Sequence, residues 1–363
     1  GWRTSVPLQG PAGATSALVN ITLTGATQVG YVTAESCDGN VTGERQWSNG
    51  NVSVGATVAN LAVVPLDGLG RFCLYNSSPM HTIVDVQGFF MPSRLADSTA
   101  TKFTPFSPSR VLDTRKVGGK VAASALKEVA VNGVLKDAVA ILTNLTVTGT
   151  SSEGYLAGDS CTKLSSNAPD SSNLNFSSQD TVANLAVVNL GQMSQGLGFC
   201  TWANQELHQI VDIQGVFTPG ASGMWGFNLE PQRRLVDTRK CVSDCAEVFR
   251  PGAMIKLKAP AGASAVLVNL TLTDAANSSF VIADRCSTLM PSTETPSNAN
   301  VAVGRVAANL AVVPVDVDGS FCVYTSSATR VIVDIQGTFS PSADLRFIPV
   351  SSVRRFDSRK LAN

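Results

Sequence analysis

Polar and apolar residues alternate with a period of two over short stretches, and the stretches recur along the chain. Ala17 to Thr24 places Val19, Ile21 and Leu23 on one face and Asn20, Thr22 and Thr24 on the other. This is the pattern of a half-buried strand rich in β-branched residues. It returns at Ile141–Thr148 and Val266–Thr273, and further strands are predicted at Gly30–Ala34, Thr57–Leu66, Arg71–Asn76 and Thr82–Phe90. Turn clusters such as Leu66-Asp67-Gly68 separate them. No segment sustains a 3.6-residue apolar stripe; Ala122–Val134 comes closest and is broken by Asn132-Gly133. About seven short strands with a turn every ~8–12 residues predict an all-β fold of sandwich or jelly-roll type. A three-bladed propeller is the rival, but a blade takes about four strands.

The strand pattern is copied. Ala-Asn-Leu-Ala-Val-Val occurs at Asn60, Asn184 and Asn309, and Val-Asp-(Val/Ile)-Gln-Gly-x-Phe is centred on Asp85, Asp212 and Asp334. Arg-x-x-Asp-x-Arg occurs at Arg110/Asp113/Arg115, Arg234/Asp237/Arg239 and Arg354/Asp357/Arg359. Such self-similarity means that one structural unit has been repeated. The predicted organisation is three tandem, pseudo-symmetric, jelly-roll-like β-sandwich units of about 120 residues, at 1–105, 106–230 and 231–350, with a C-terminal copy of the arginine motif at 351–363. The first unit begins without that motif. Three arrangements follow: the motif ends each unit, its last copy closes unit one into a pseudo-threefold ring, or that copy passes into the next molecule as a head-to-tail fibre.

Composition narrows the partners. The 27 basic and 27 acidic side chains balance and form no basic stripe, which argues against nucleic acid. No apolar run approaches the length of a membrane span. The opening Gly-Trp-Arg reads as a processed or trimmed chain. The eight cysteines divide as Cys37/Cys73, Cys161/Cys200 and Cys286/Cys322, plus a local pair Cys241/Cys245. That division predicts disulfides and an oxidising, extracellular or cell-surface location. With two histidines and no Cys-x-x-Cys knuckle, zinc is the weaker reading.

Catalytic constellations are sparse. Each unit offers two carboxylates, the equipment of a glycoside hydrolase, but arginines flank the motif aspartate and depress its pKa, whereas a general acid needs it raised. Two arginines and two aspartates per unit sum to zero charge, as in a structural ion cluster: Asp85, Arg110, Asp113, Arg115, Asp212, Arg234, Asp237, Arg239, Asp334, Arg354, Asp357 and Arg359. Calcium fits poorly beside arginine. His81 and His208 are equivalent, but Arg330 takes that place in unit three, so a surface cation is expected. No Gly-x-Ser-x-Gly elbow, Walker loop or dinucleotide fingerprint occurs, and no cofactor is predicted.

Two features could bind. Repeated aromatics (Tyr75, Trp202 and Tyr324; Phe90, Phe217 and Phe339) are expected in the core, while Trp47 and Trp225, with Trp202 as a further candidate, could stack on a sugar. Sequons occur at Asn20, Asn40, Asn51, Asn76, Asn144, Asn175, Asn269 and Asn277. Asn20, Asn144 and Asn269 are equivalent, as are Asn60, Asn184 and Asn309, and such strand-borne amides are expected to pair across a shared interface.

The segments "RVLDTR", "TVANLAVV" and "VDVQGFF" resemble a repeat of secreted and cell-surface proteins of actinobacteria and related bacteria. The resemblance covers nearly the whole chain and implies an exported bacterial protein, with no activity attached. Unit three departs from it at "RRFDSR" and in Cys241/Cys245. The expected function is a non-enzymatic structural or adhesive component of a cell surface or extracellular assembly, partnered by itself or by other surface proteins. A carbohydrate-binding lectin with up to three sites is the alternative, and a glycoside hydrolase the remote one.

Overall fold

The computed structural model describes residues 1–39, 43–164, 167–220, 222–240, 248–291 and 296–361. Strands dominate it. The first third holds β1 (Trp2–Pro7), β2 (Ser16–Thr24), β3 (Gly30–Ser36), β4 (Gly50–Val52), β5 (Val58–Pro65), β6 (Arg71–Asn76) and β7 (His81–Pro92). The second holds β8 (Thr101–Asp113), β9 (Leu126–Ala130), β10 (Ala140–Thr148), β11 (Gly154–Asp159), β12 (Leu174–Phe176), β13 (Val182–Asn189), β14 (Gly191–Met193), β15 (Gly196–Ala203) and β16 (His208–Pro219). The third holds β17 (Gly226–Asp237), β18 (Ala253–Lys258), β19 (Ala265–Thr273), β20 (Ser279–Asp284), β21 (Ala299–Val301), β22 (Ala307–Pro314), β23 (Ser320–Thr325), β24 (Arg330–Ser340) and β25 (Leu345–Asp357). The near-helical stretch Ala122–Val134 contains strand β9.

Each unit is a pair of antiparallel sheets. In unit two the inner sheet runs β13-β10-β16-β8, and the outer one β9-β15-β11-β12, with β14 beside β15. Numbered within the unit, the eight main strands pair first with eighth, eighth with third and third with sixth, while second, seventh, fourth and fifth form the other sheet. That is the double Greek key of a jelly roll. Unit three repeats it as β22-β19-β24-β17 over β18-β23-β20-β21.

Unit one repeats it with a difference. Its outer sheet is β1-β6-β3-β4 and its inner sheet is β5-β2-β7, completed by β25. The strand that opens units two and three therefore reaches unit one from the C-terminal end, closing the three units into a ring within the chain. In this arrangement β25 is seated on the chain's own β7, not passed on as a fibre would require. The boundaries expected at 105/106, 230/231 and 350/351 fall inside β8, β17 and β25, because the motif strand begins well before its arginines.

The polar face of the inner strands differs from expectation. Strands β2, β10 and β19 are buried on both faces up to their last residue. Ala17, Val19, Ile21 and Leu23 point into the core between the two sheets of their own unit, whereas Leu18 belongs to a central core shared by all three units. A half-buried strand was the natural reading of alternation, but here the polar face is covered by the neighbouring unit.

The central core explains the repeated glycine. The first halves of the three motif strands touch in turn: Phe103 bridges Trp225, Phe227 pairs with Leu345, and Phe347 pairs with Thr101. Six rings then form a closed cycle, Phe90–Phe347–Phe217–Phe103–Phe339–Phe227 and back to Phe90, with centroid separations of 4.3–5.2 Å. Gly88, Gly215 and Gly337 each lie under one of these rings, and a Cβ there would collide with Phe347, Phe103 or Phe227 respectively. Truncating one ring, Phe347→Ala, should cost about 3–5 kcal/mol, read as a lower denaturant midpoint. Leu69→Ala, at a residue 75% exposed, should stay within about 0.5 kcal/mol.

Candidate functional site

The thrice-repeated side chains gather on the inner sheets, the arginine–aspartate pairs within each unit and the asparagines across the seams between units. In unit two, Arg110 donates from Nε to Asp212 Oδ1 (2.8 Å) and from a terminal nitrogen to Oδ2 (3.0 Å). Arg234 clasps Asp334 the same way (2.8 and 3.0 Å), and Arg354 clasps Asp85 (2.9 and 3.1 Å). Strand pairing sets these contacts, since the register places Arg110 opposite Asp212, Arg234 opposite Asp334 and Arg354 opposite Asp85. The third pairing joins residues 269 positions apart. The second arginine of each motif closes on its own aspartate: Arg115 on Asp113, Arg239 on Asp237 and Arg359 on Asp357. The first arginine also approaches that aspartate, at 3.5, 3.1 and 4.0 Å in turn.

In units one and two, environment splits the carboxylates into two classes. Burial pushes Asp85 and Asp212 above the usual carboxylate range, with Arg354 and Arg110 offsetting part of the shift. The bond from Arg115 holds Asp113 below that range, and the bond from Arg359 does the same for Asp357. At Asp237 burial acts upward, but Arg239 outweighs it and the carboxyl ends low. A low aspartate beside a raised one has the outline of an acid–base pair. Here, however, both are held by bidentate guanidinium groups, the strand aspartates are buried, and each pair is stereochemically closed by strand pairing.

Two of the strand aspartates also reach the adjacent unit. Asp85 accepts from the Ser172 backbone N–H (3.1 Å) and Asp334 from that of Ser48 (3.4 Å). Beside them run the asparagines. Asn60 donates to Asn269, Asn184 to Asn20 and Asn309 to Asn144, each at 2.9 Å and each across a seam. Asn20, Asn144 and Asn269 in turn donate to the carbonyls of Ser172, Ser297 and Ser48. These three sequon asparagines are fully buried, which leaves no room for a glycan in the folded chain. Asn40 lies outside the described residues.

A further set escaped the sequence reading. Strands β5 and β13 are edge strands whose outer N–H groups would otherwise be unpaired. Leu61 N–H donates to Asn184 (3.2 Å) and Val63 N–H to Gln336 (2.9 Å). Leu185 N–H donates to Asn309 (2.8 Å) and Val187 N–H to Gln87 (2.8 Å). The glutamine of Val-Asp-x-Gln-Gly was the available signal. The phenylalanine seven residues before each of Arg110, Arg234 and Arg354 was the other. Unit one adds a private cluster in which Arg3 and the buried Arg45 share Glu35, with Arg45 4.4 Å over the Tyr75 ring.

The predicted disulfides Cys37–Cys73, Cys161–Cys200 and Cys286–Cys322 are present, tying each outer sheet to the loop that follows its β3-type strand. Cys241 and Cys245 lie outside the described residues. His81 and His208 face the hydroxyls of Ser358 and Thr114 at 3.2 Å, while Arg330 donates to the Thr238 carbonyl. The tryptophans require a correction. Trp202 is 2% and Trp225 8% exposed; the first packs beside Tyr155 in the outer sheet, and the second bridges Phe103 in the central core. Neither offers a ring face to a sugar. Trp47 is half-buried, its carbonyl accepting from Thr33. Among the described residues no cluster of histidine, cysteine and carboxylates could hold a metal ion, and no helix is long and apolar enough to cross a membrane.

No protein-family model matches the chain, and no curated protein does. Among solved structures, the triple jelly roll and turret assembly of an archaeal virus matches at 8% identity over 93% of this chain and 84% of that one, with a TM-score of 0.19. One from the Sulfolobus turreted icosahedral virus matches at 8% over the same shares, with a TM-score of 0.17. One from infectious bursal disease virus matches at 10% over 99% and 83%, with a TM-score of 0.13. At such TM-scores the likenesses carry no weight, and the jelly-roll assignment rests on strand order.

Arg354→Ala leaves the buried Asp85 without its partner and should destabilise by about 3–5 kcal/mol near neutral pH. Losing the arginine raises the already elevated folded pKa of Asp85. A raised folded pKa favours folding only below the unfolded value of about 4, and the deficit therefore opens as pH climbs through the folded pKa. Unfolding of both proteins at about pH 4 and pH 7 should show the smaller gap in acid.

Proposed function

We propose that the chain is a non-enzymatic structural or adhesive component of an extracellular assembly, exported by a bacterium. The observation that carries this reading is where the repeated chemistry goes. The arginine motif, the strand aspartate, the paired asparagines, the glutamine and the phenylalanine each hold one strand or one unit to the next. A site repeated three times for catalysis or binding would leave repeated side chains pointing at solvent. The three described disulfides suit an oxidising exterior, and the low charge suits a durable exposed scaffold.

The lectin alternative has less support, because two of its three aromatic platforms are core residues. A glycoside hydrolase has less still, because its carboxylates are clasped by arginine. Immunogold labelling of intact producing cells should decorate the surface or shed material. Label that appears only after lysis would overturn the proposal. Reducing the purified chain should cost roughly 3–4 kcal/mol per disulfide in the chain-entropy account, seen as a lower midpoint of thermal unfolding. An unchanged midpoint would remove the disulfides as a support for exposure outside the cell.

A further inference from the structure

The three units share one chemistry but are not fastened alike. Strand β5 gives the N–H groups of Leu61 and Val63 to Asn184 and Gln336, and β13 gives those of Leu185 and Val187 to Asn309 and Gln87. Pseudo-symmetry carries these pairs onto Leu310 with Asn60 and Val312 with Gln214. The register agrees. Leu310 stands opposite Asn269 in β19 as Leu61 stands opposite Asn20 in β2, which turns the N–H groups of Leu310 and Val312 outward too. Yet both acceptors are left over: Asn60 Oδ1 and Gln214 Oε1 are buried and accept from no described residue. The Asn60 amide is held as that of Asn184 is, by its own donation to an asparagine and to a backbone carbonyl. Strand β22 therefore stands off, and the amide has not turned away.

Unit three lacks a further fastening. Ser172 and Ser48 give their N–H groups to Asp85 and Asp334. The equivalent Asp212 carboxylate is bonded, among the described residues, by Arg110 alone, and its expected donor Ser297 is half-buried where Ser48 and Ser172 are buried. Space opens where these contacts fail. A cavity of about 70 Å³ is lined by Asn60 and by Ala307 and Ala308 of β22, but by neither Asn184 nor Asn309. A second, of about 360 Å³, is lined by Pro105 and Phe106 of unit two and by Asn298 and Pro314 of unit three. The first is roomy enough for water, so Asn60 Oδ1 and the Leu310 N–H have little to lose on parting. Asn309 still donates to Asn144, and Asn60 to Asn269, which keeps the seam closed at rest.

We propose that the ring opens reversibly at β22, the edge of unit three lifting from units one and two while β5 and β13 stay capped. The motion is a sub-global opening, not an unfolding. The N–H groups of Asn309 and Ala311 point the other way along β22 and keep their pairing with β19. The opening is independent of whether the chain is a scaffold.

Amide hydrogen exchange of the full disulfide-bonded chain, resolved residue by residue by NMR, tests this. Leu310 and Val312 should exchange at least about tenfold faster than Leu61, Val63, Leu185 and Val187, while Asn309 and Ala311 stay protected. Equal rates on the three edges overturn the proposal. So does fast exchange that extends to Asn309 and Ala311, since unit three would then be unfolding rather than lifting. A pair of variants supplies a second reading. Gln87→Leu uncaps Val187 and should speed its exchange about tenfold, whereas Gln214→Leu removes no cap and should change Val312 by less than about twofold. Matching accelerations in the two variants would sink the idea. If Gln87→Leu fails to fold, the rates in the parent chain decide alone.

Discussion

A β-sheet buried on both faces has to be covered on its second face by something that satisfies polar groups, and this requirement organises the molecule. Each inner sheet turns one face to its own outer sheet and the other to the next unit. The second face carries Asn20, Thr22 and their equivalents because a neighbour's edge strand packs there, and its N–H groups need acceptors. Four such N–H groups, on Leu61, Val63, Leu185 and Val187, find side-chain amides of an adjacent unit. An unpaired edge strand invites aggregation; in this ring the edges of β5 and β13 are directed inward and capped.

The same requirement explains why alternation was informative and incomplete. Val19, Ile21 and Leu23 announced a strand with one apolar face, and the strand is there. Nothing local to Asn20 or Thr22 distinguishes a polar residue facing water from one facing an amide of another unit; the distinction lay in the threefold recurrence of the asparagines, which did point to a shared interface. The arginine–aspartate pairing was legible through charge balance. Its geometry was not, because Arg354 and Asp85 become neighbours only once strand order is known. Trp225 misled because an unrepeated aromatic looks dispensable to a repeated fold. In fact the central core is not perfectly symmetric, and Trp225 bridges Phe103 where the other two junctions use Leu345 and Thr101.

Polar and apolar fastenings divide the seams between them. The phenylalanine cycle supplies non-directional burial, tolerant of small shifts. The amide and guanidinium contacts are directional and leave a buried partner unsatisfied when displaced, so they set which strand sits where. Glycine at 88, 215 and 337 links the two, since it lets a ring lie directly on the backbone of the strand that bears the aspartate three residues earlier.

The seat of β25 on β7 also sets an order of events. Units two and three hold all eight of their main strands within one continuous stretch, whereas unit one lacks its opening strand until the last residues have been made. A contact spanning 269 positions is among the slowest kinds to form. During synthesis unit one therefore waits for β25, with Asp85 and Phe90 uncovered while units two and three are made. A cell making this protein must shield that unfinished sandwich for the whole interval, and the last strand to arrive completes both its own unit and the ring.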